Sequence, residues 1–103
     1  MRIMKKEQIL IRISGKDRVG LTAEIMDILA KYDAQILDIG QADIHSTLTL
    51  GILIRIDEAH SGQVMKELLF KITELGSISI GFAPVSDDEY EAWAGRQGRN
   101  RYI

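Results

Sequence analysis

Between Thr47 and Asp57, Leu48, Leu50, Ile52, Ile54 and Ile56 occupy every second position. Thr47, Thr49, Gly51, Leu53, Arg55 and Asp57 fill the places between them. A helix would scatter that apolar set around its circumference, whereas a strand turns all of it to one side. The chain therefore holds a strand with one buried face, and the rest of its 103 residues must supply the cover. The preceding stretch, Gln35 to His45, also reads as a strand. Ile36, Asp38, Gly40, Ala42 and Ile44 are expected on one face, and Leu37, Ile39, Gln41, Asp43 and His45 on the other. A short polar bend at His45-Ser46-Thr47 makes the two an antiparallel hairpin.

Upstream, Ile9, Ile11 and Ile13 mark a first strand over about Glu7 to Ser14. Ser14-Gly15-Lys16-Asp17-Arg18-Val19-Gly20-Leu21 then forms a glycine-bearing loop. After it the period changes: Leu21, Ile25, Ile28, Leu29 and Tyr32 recur at helical spacing until Asp33-Ala34. Either Thr22 or the loop itself caps that helix. Beyond the hairpin, Ser61 is the expected N-cap of a helix striped by Val64, Leu68, Ile72 and Leu75, with Gly76 at its C-terminal end. A last strand, Ser77 to Val85, alternates Ile78, Ile80 and Phe82 with smaller residues, and Pro84 suits its end or an edge.

The order β-α-β-β-α-β predicts an α+β, ferredoxin-like fold, a four-stranded antiparallel sheet with two helices on one face. That unit fills residues 1–86. Asp87 to Ala94 reads as a short acidic helix with Asp87 as its N-cap, followed by a polar linker. Arg101-Tyr102-Ile103 turns β-like, so residues 87–103 are expected to lead into a following domain.

Several function classes are excluded. A net charge of −2 and a pI near 5.6 argue against a nucleic-acid surface. With no cysteine, thiolate metal sites and Cys nucleophiles are ruled out. No apolar run reaches membrane length and the basic N-terminus lacks an apolar segment behind it, which predicts a cytoplasmic chain with no membrane partner. His45 and His60 lack neighbouring ligands at metal spacing, and no serine sits in a nucleophile elbow. The loop lacks the Gly-Lys-Ser/Thr ending of a P-loop. No catalytic residue, metal or cofactor is expected.

Binding remains. Two glycines bracketing Lys16-Asp17-Arg18 allow positive φ and close approach, and the helix start offers free amides for a carboxylate or phosphate. Asp38 is an unusual strand residue, either an edge charge opposing aggregation or a binding group. Asp, Gln and free amides together suit a zwitterionic amino acid, with the amides on its carboxylate and the Asp on its ammonium.

The first strand, the Gly15-Lys16-Asp17-Arg18-Val19-Gly20-Leu21 loop, the helix and the hairpin together resemble an ACT domain over residues 7–86. The run Ile36-Leu37-Asp38-Ile39-Gly40-Gln41-Ala42-Asp43-Ile44-His45, continued by Thr47 to Leu53, more narrowly resembles the N-terminal ACT domain of bacterial phosphoserine phosphatases. The resemblance implies a regulatory, amino-acid-binding module of L-serine biosynthesis, with L-serine the favoured ligand. It implies a ligand-facing set of Lys16, Asp17, Arg18, Val19, Gly20 and Leu21, and a strand with Asp38, Gly40 and Gln41 that completes the site across a domain pair. Some ACT domains carry a proline where this chain has Val19. Pairing would be with a second copy or a second ACT domain. The phosphatase signature Asp-x-Asp-x-Thr does not occur in these residues, so Mg²⁺ and the aspartyl nucleophile would belong to a separate catalytic domain. The alternatives are a dimerisation module without ligand, or the ACT domain of another enzyme (formyltetrahydrofolate deformylase) or of a free-standing regulator.

Overall fold

Six elements form in the order that the periodicities dictate: β1 (Lys6–Lys16), α1 (Leu21–Lys31), β2 (Gln35–Ile44), β3 (Thr47–Asp57), α2 (Glu58–Leu75) and β4 (Ile78–Val85). The computed structural model describes residues 5–16, 18–86, 88, 89 and 92. One four-stranded sheet runs β2-β3-β1-β4, every pair antiparallel, so β3 and β1 are central and β2 and β4 are edges. This is the expected ferredoxin-like arrangement.

Residues opposite each other in an antiparallel ladder share a face. Ile9 pairs with Ile54, Ile11 with Ile52 and Ile13 with Leu50, so the β1 and β3 alternations coincide and face the helices together. Leu21, Ile25, Ile28 and Leu29 of α1, and Val64, Leu68 and Ile72 of α2, cover them. Each fully buried aliphatic side chain contributes roughly 1.5–3 kcal/mol over its exposed state. Ile78, Ile80 and Phe82 of β4 are only partly buried at the margin of this cluster.

Four boundaries differ from those the sequence predicts, each for a local reason. β1 does not stop at Ser14, because Gly15 and Lys16 still pair with Leu48 and Thr47. α2 starts before Ser61: the Asp57 carboxylate accepts the Ala59 N–H at 3.0 Å and caps it. Ser61 is instead buried in the first turns and donates to the Glu58 carbonyl. β2 is not one unbroken alternation. Ile36 pairs with Ile54 but Asp38 with Leu53, so Leu37 is a bulge and the faces exchange there. Ile36 therefore faces the helices, whereas Asp38, Gly40, Ala42 and Ile44 face away. His45 leaves the alternation altogether, since His45 (φ 50°) and Ser46 (φ 67°) form a two-residue turn with both central φ positive. After β4 the expected cap Asp87 lies outside the described residues. Ser86 Oγ accepts the Glu89 N–H at 3.1 Å and Glu89 Oε1 accepts the Ser86 N–H at 3.3 Å, a reciprocal capping box.

The two helices are clamped at one end. Lys31 Nζ donates to both Glu67 carboxylate oxygens at 2.9 Å, and the Tyr32 hydroxyl donates to Oε1 at 2.7 Å. The bonds from Lys31 and then Tyr32 hold Glu67 below the usual carboxylate pKa, and the bond to Glu67 raises both donors. A lowered folded pKa contributes stability that is present above the ordinary carboxylate range and lost as pH falls through the folded value. The raised Lys31 pKa acts at the other limit: its share is present at neutral pH and lost as pH rises through that value. Glu67→Gln should therefore lower the melting temperature slightly at neutral pH and converge with wild type on acidification. Parallel pH-dependent melts would show no charged clamp if the difference stayed constant down to acid.

Candidate functional site

The two glycines of the loop serve different purposes. At Gly15 a Cβ would lie 2.4 Å from the Ser77 carbonyl oxygen and 2.6 Å from the Ile78 Cα, so the strand backbones pass too closely for any side chain. Lys16 N–H donates to the same Ser77 carbonyl at 3.1 Å. Gly20 has open space around it but a φ of +85°, the left-handed conformation that glycine tolerates best. It is the residue preceding α1, and that helix has no side-chain cap, so the loop and not Thr22 starts it. Leu21 N–H donates to the Arg18 carbonyl at 3.3 Å, and buried Leu21 anchors the loop to the core. Val19 between them is fully exposed.

The loop forms one wall of an open cleft lined by Lys16, Arg18, Val19, Leu75, Gly76, Ser77 and Ile78. Because β4 neighbours β1, the turn entering β4 lies beside the turn leaving β1. That turn is tight, with positive φ at Gly76 (69°) and Ser77 (59°). The sequence reading omitted these lining residues. Gly76 was legible as a helix end, but only the strand order puts it against Lys16. Lys16 and Arg18 bring two cations to this cleft, charges suited to a carboxylate, whereas the Lys16 and Gly76 N–H groups are already bonded to the Ser77 and Ile72 carbonyls. Asp17 lies outside the described residues.

The structure does not bring the rest of the expected set to this loop within one chain. The register puts Lys16 level with Ile44, and Asp38 level with Leu10. Those levels are about 20 Å apart along the strands. Asp38 and Gly40 lie on the sheet face away from the helices. Gln41 lies on the opposite face, level with Leu50, where its Nε2 donates to Asp43 Oδ2 at 3.4 Å. The bulge at Leu37 separates Asp38 from Ile36, but Asp38 and Gln41 would part company in any strand, being an odd number of residues apart. Among the described residues no cluster of His, Asp or Glu is placed to hold a metal ion, and no helix is long and apolar enough to cross a membrane.

Comparison with known proteins agrees with this architecture. The ACT domain profile matches residues 7–81. Phosphoserine phosphatase SerB2 of Mycobacterium tuberculosis is 35% identical over 49 residues, 48% of this chain but only 12% of that protein's length. A UPF0237 protein of Methanococcus maripaludis is 32% identical over 71 residues, 69% of this chain and 77% of its own. Among solved structures, the ACT domain from the GTP pyrophosphokinase of Chlorobium tepidum superposes with a TM-score of 0.58 at 20% identity, covering 77% of this chain and all of that one. A formyltetrahydrofolate deformylase from Burkholderia mallei superposes with a TM-score of 0.65 at 12% identity, covering 73% of this chain and 27% of the enzyme. Sheet order, loop and profile converge, and the chain belongs to the ACT domain family.

Proposed function

We propose that this ACT domain senses a small amino acid, with L-serine the favoured ligand, and regulates a phosphoserine phosphatase to which residues 87–103 lead. The observation that carries this reading is the start of α1. It has no side-chain cap, and the loop that leads into it lines an open cleft through Lys16, Arg18 and Val19. The ligand's carboxylate would sit on the loop amides and the two cations. Binding regulates only through unequal affinity for two arrangements, so the ligand must favour one packing of an ACT pair over another.

The long edge of β2 favours a second reading, a pairing module without ligand. Nine of its ten residues are exposed, among them Ile36, Ile39 and Ile44. An edge of that length offers unpaired backbone groups to another strand, with Asp38, Asp43 and the Leu37 bulge the features that oppose such pairing.

Isothermal titration with L-serine, glycine and phosphoserine, run beside a sizing measurement, separates the two. Saturable serine binding that Gly20→Val abolishes while the circular dichroism spectrum persists supports the sensor. No heat with any of the three, from a folded dimer, rejects it in favour of the pairing module. An Asp-x-Asp-x-Thr motif further along the parent reading frame would support the phosphatase, and a formyltransferase-like domain the deformylase.

A further inference from the structure

The sheet face away from the helices is covered at one end and open at the other. Near the start of β1, Gln8 is 6% exposed and Leu53 8%, with Leu10, Arg55, Ala83 and Val85 half-buried around them. At the other end of the same face, Arg12, Ser14 and Thr49 are exposed. A central place in the sheet does not account for the burial, because β1 and β3 are central along their whole length. Nor do α1 and α2, which pack on the other face. One face of an antiparallel sheet can stay in water, and a leucine and a glutamine lose that water only beneath further chain.

The segment that follows β4 starts at this covered end. Val85 pairs with Gln8, and Ala83 with Leu10, which in turn pairs with Leu53. Directly after Val85 comes the Ser86–Glu89 capping box, and Glu89 lines a cleft together with Gln8, Val85 and Ser86. Asp88, Glu89 and Ala92 are helical and exposed. We propose that the cover is residues 87–94, a helix laid back across this face with Tyr90 and Trp93 over Leu10 and Leu53. At about 100° per residue, the three exposed positions occupy one side of such a helix. Tyr90 and Ala94 fall opposite them and Trp93 on the flank, so the apolar residues turn toward the sheet together. Leu53 lies three residues along the strands and two strands across from Ser86, about 14 Å, and eight helical residues span about 12 Å. Residues 1–4 fit less well, because the Lys5 carbonyl accepts the Glu58 N–H at 2.8 Å and so directs that end of the chain toward the start of α2. The consequence for regulation rests on the function proposed above. Where residues 87–103 lead to a regulated domain, a docked helix fixes the direction of exit, and movement of the ACT sheet reaches that domain instead of being lost in slack chain.

Trp93 is the one tryptophan of the chain, so its fluorescence reports the contact directly. In the native full chain its emission should lie to the blue of the urea-unfolded chain, and acrylamide should quench it severalfold less. Leu53→Lys should move the emission to the red and restore quenching. Thr49→Lys, at the open end of the same strand and face, should leave both unchanged. Trp93→Ala alters no residue of the sheet and should lower the melting temperature by roughly 4–8 °C. Leu53→Ala should cost less in that background than alone, because both changes remove one contact. A native emission matching that of the unfolded chain, or a Trp93→Ala melt identical to wild type, overturns the proposal. Protection of Trp93 that fades on dilution also overturns it and assigns the cover to a second copy. So does an Ile3→Lys chain that is destabilised while Trp93→Ala is not, which assigns the cover to residues 1–4. All of these readouts are taken without ligand, so the docking can fail while serine binding at the loop stands, and the reverse.

Discussion

Gly15→Ala should cost about 3 kcal/mol or more, a large share of the 5–15 kcal/mol that holds a domain of this size together. The methyl group would have to enter a space whose nearest atoms, the Ser77 carbonyl oxygen and the Ile78 Cα, stand at 2.4 and 2.6 Å. Both are backbone, so no rotamer change relieves the contact. Relief needs β1 and β4 to separate at the end where Gly15 pairs with Ile78, and that shift also breaks the bond from Lys16 N–H to Ser77. Gly20→Ala meets no such wall. It places a side chain at positive φ in open space, at a cost of about 1–2 kcal/mol. Urea unfolding of both variants should therefore rank Gly15→Ala well below Gly20→Ala. Equal midpoints would mean that the β1–β4 ladder opens easily and that Gly15 is there for its conformation alone. The ranking also bears on the site, because the Gly15 contact is what sets the α2–β4 turn against the loop.

The β1 and β3 alternations and the helical stripes of α1 and α2 were legible because the helix-facing core residues of each element obey a single period, although Gln8 and Leu53 are buried on the other face of the sheet. Ile9, Ile11 and Ile13, like Leu48 to Ile56, have no local competitor for the core face. Legibility failed where local chemistry overrides the period. The bulge at Leu37 has no glycine or proline to announce it, and it reverses every residue that follows in β2. Asp57 capped α2 four residues before Ser61 because a carboxylate at a strand end can serve as cap without any break in composition. The site was half legible for a different reason. Gly20 and the start of α1 are contiguous in sequence and could be read directly. Leu75, Gly76 and Ser77 join them only through the strand order β3-β1-β4, which periodicity does not encode. Asp38 and Gln41 are grouped by the family resemblance, as parts of a site completed across a domain pair, and within one chain the strand sends them to opposite faces.

Ile52→Ala should be the most damaging of the substitutions along one core-facing row, at about 3–4 kcal/mol. The row crosses the sheet from Ile39 on β2 through Ile52 on β3 and Ile11 on β1 to Phe82 on β4. Ile52 is 0% exposed and Ile11 1%, whereas Ile39 is 44% exposed. Truncating Ile52 leaves a cavity bounded by β1 and the helices, and close packing around it prevents collapse. Ile11→Ala should cost nearly as much, and the double variant less than the sum, because the two residues face one another across the ladder and share one cavity. Ile39→Ala should cost under about 1 kcal/mol, since much of that side chain already meets water. Denaturant titrations of the four variants at low protein concentration give the gradient directly. A steep fall in cost from Ile52 to Ile39 would place the core under the central strands and leave β2 outside it. If the Ile39 cost grows as protein concentration is raised while the Ile52 cost does not, β2 is covered by another copy, and the exposed edge is an interface.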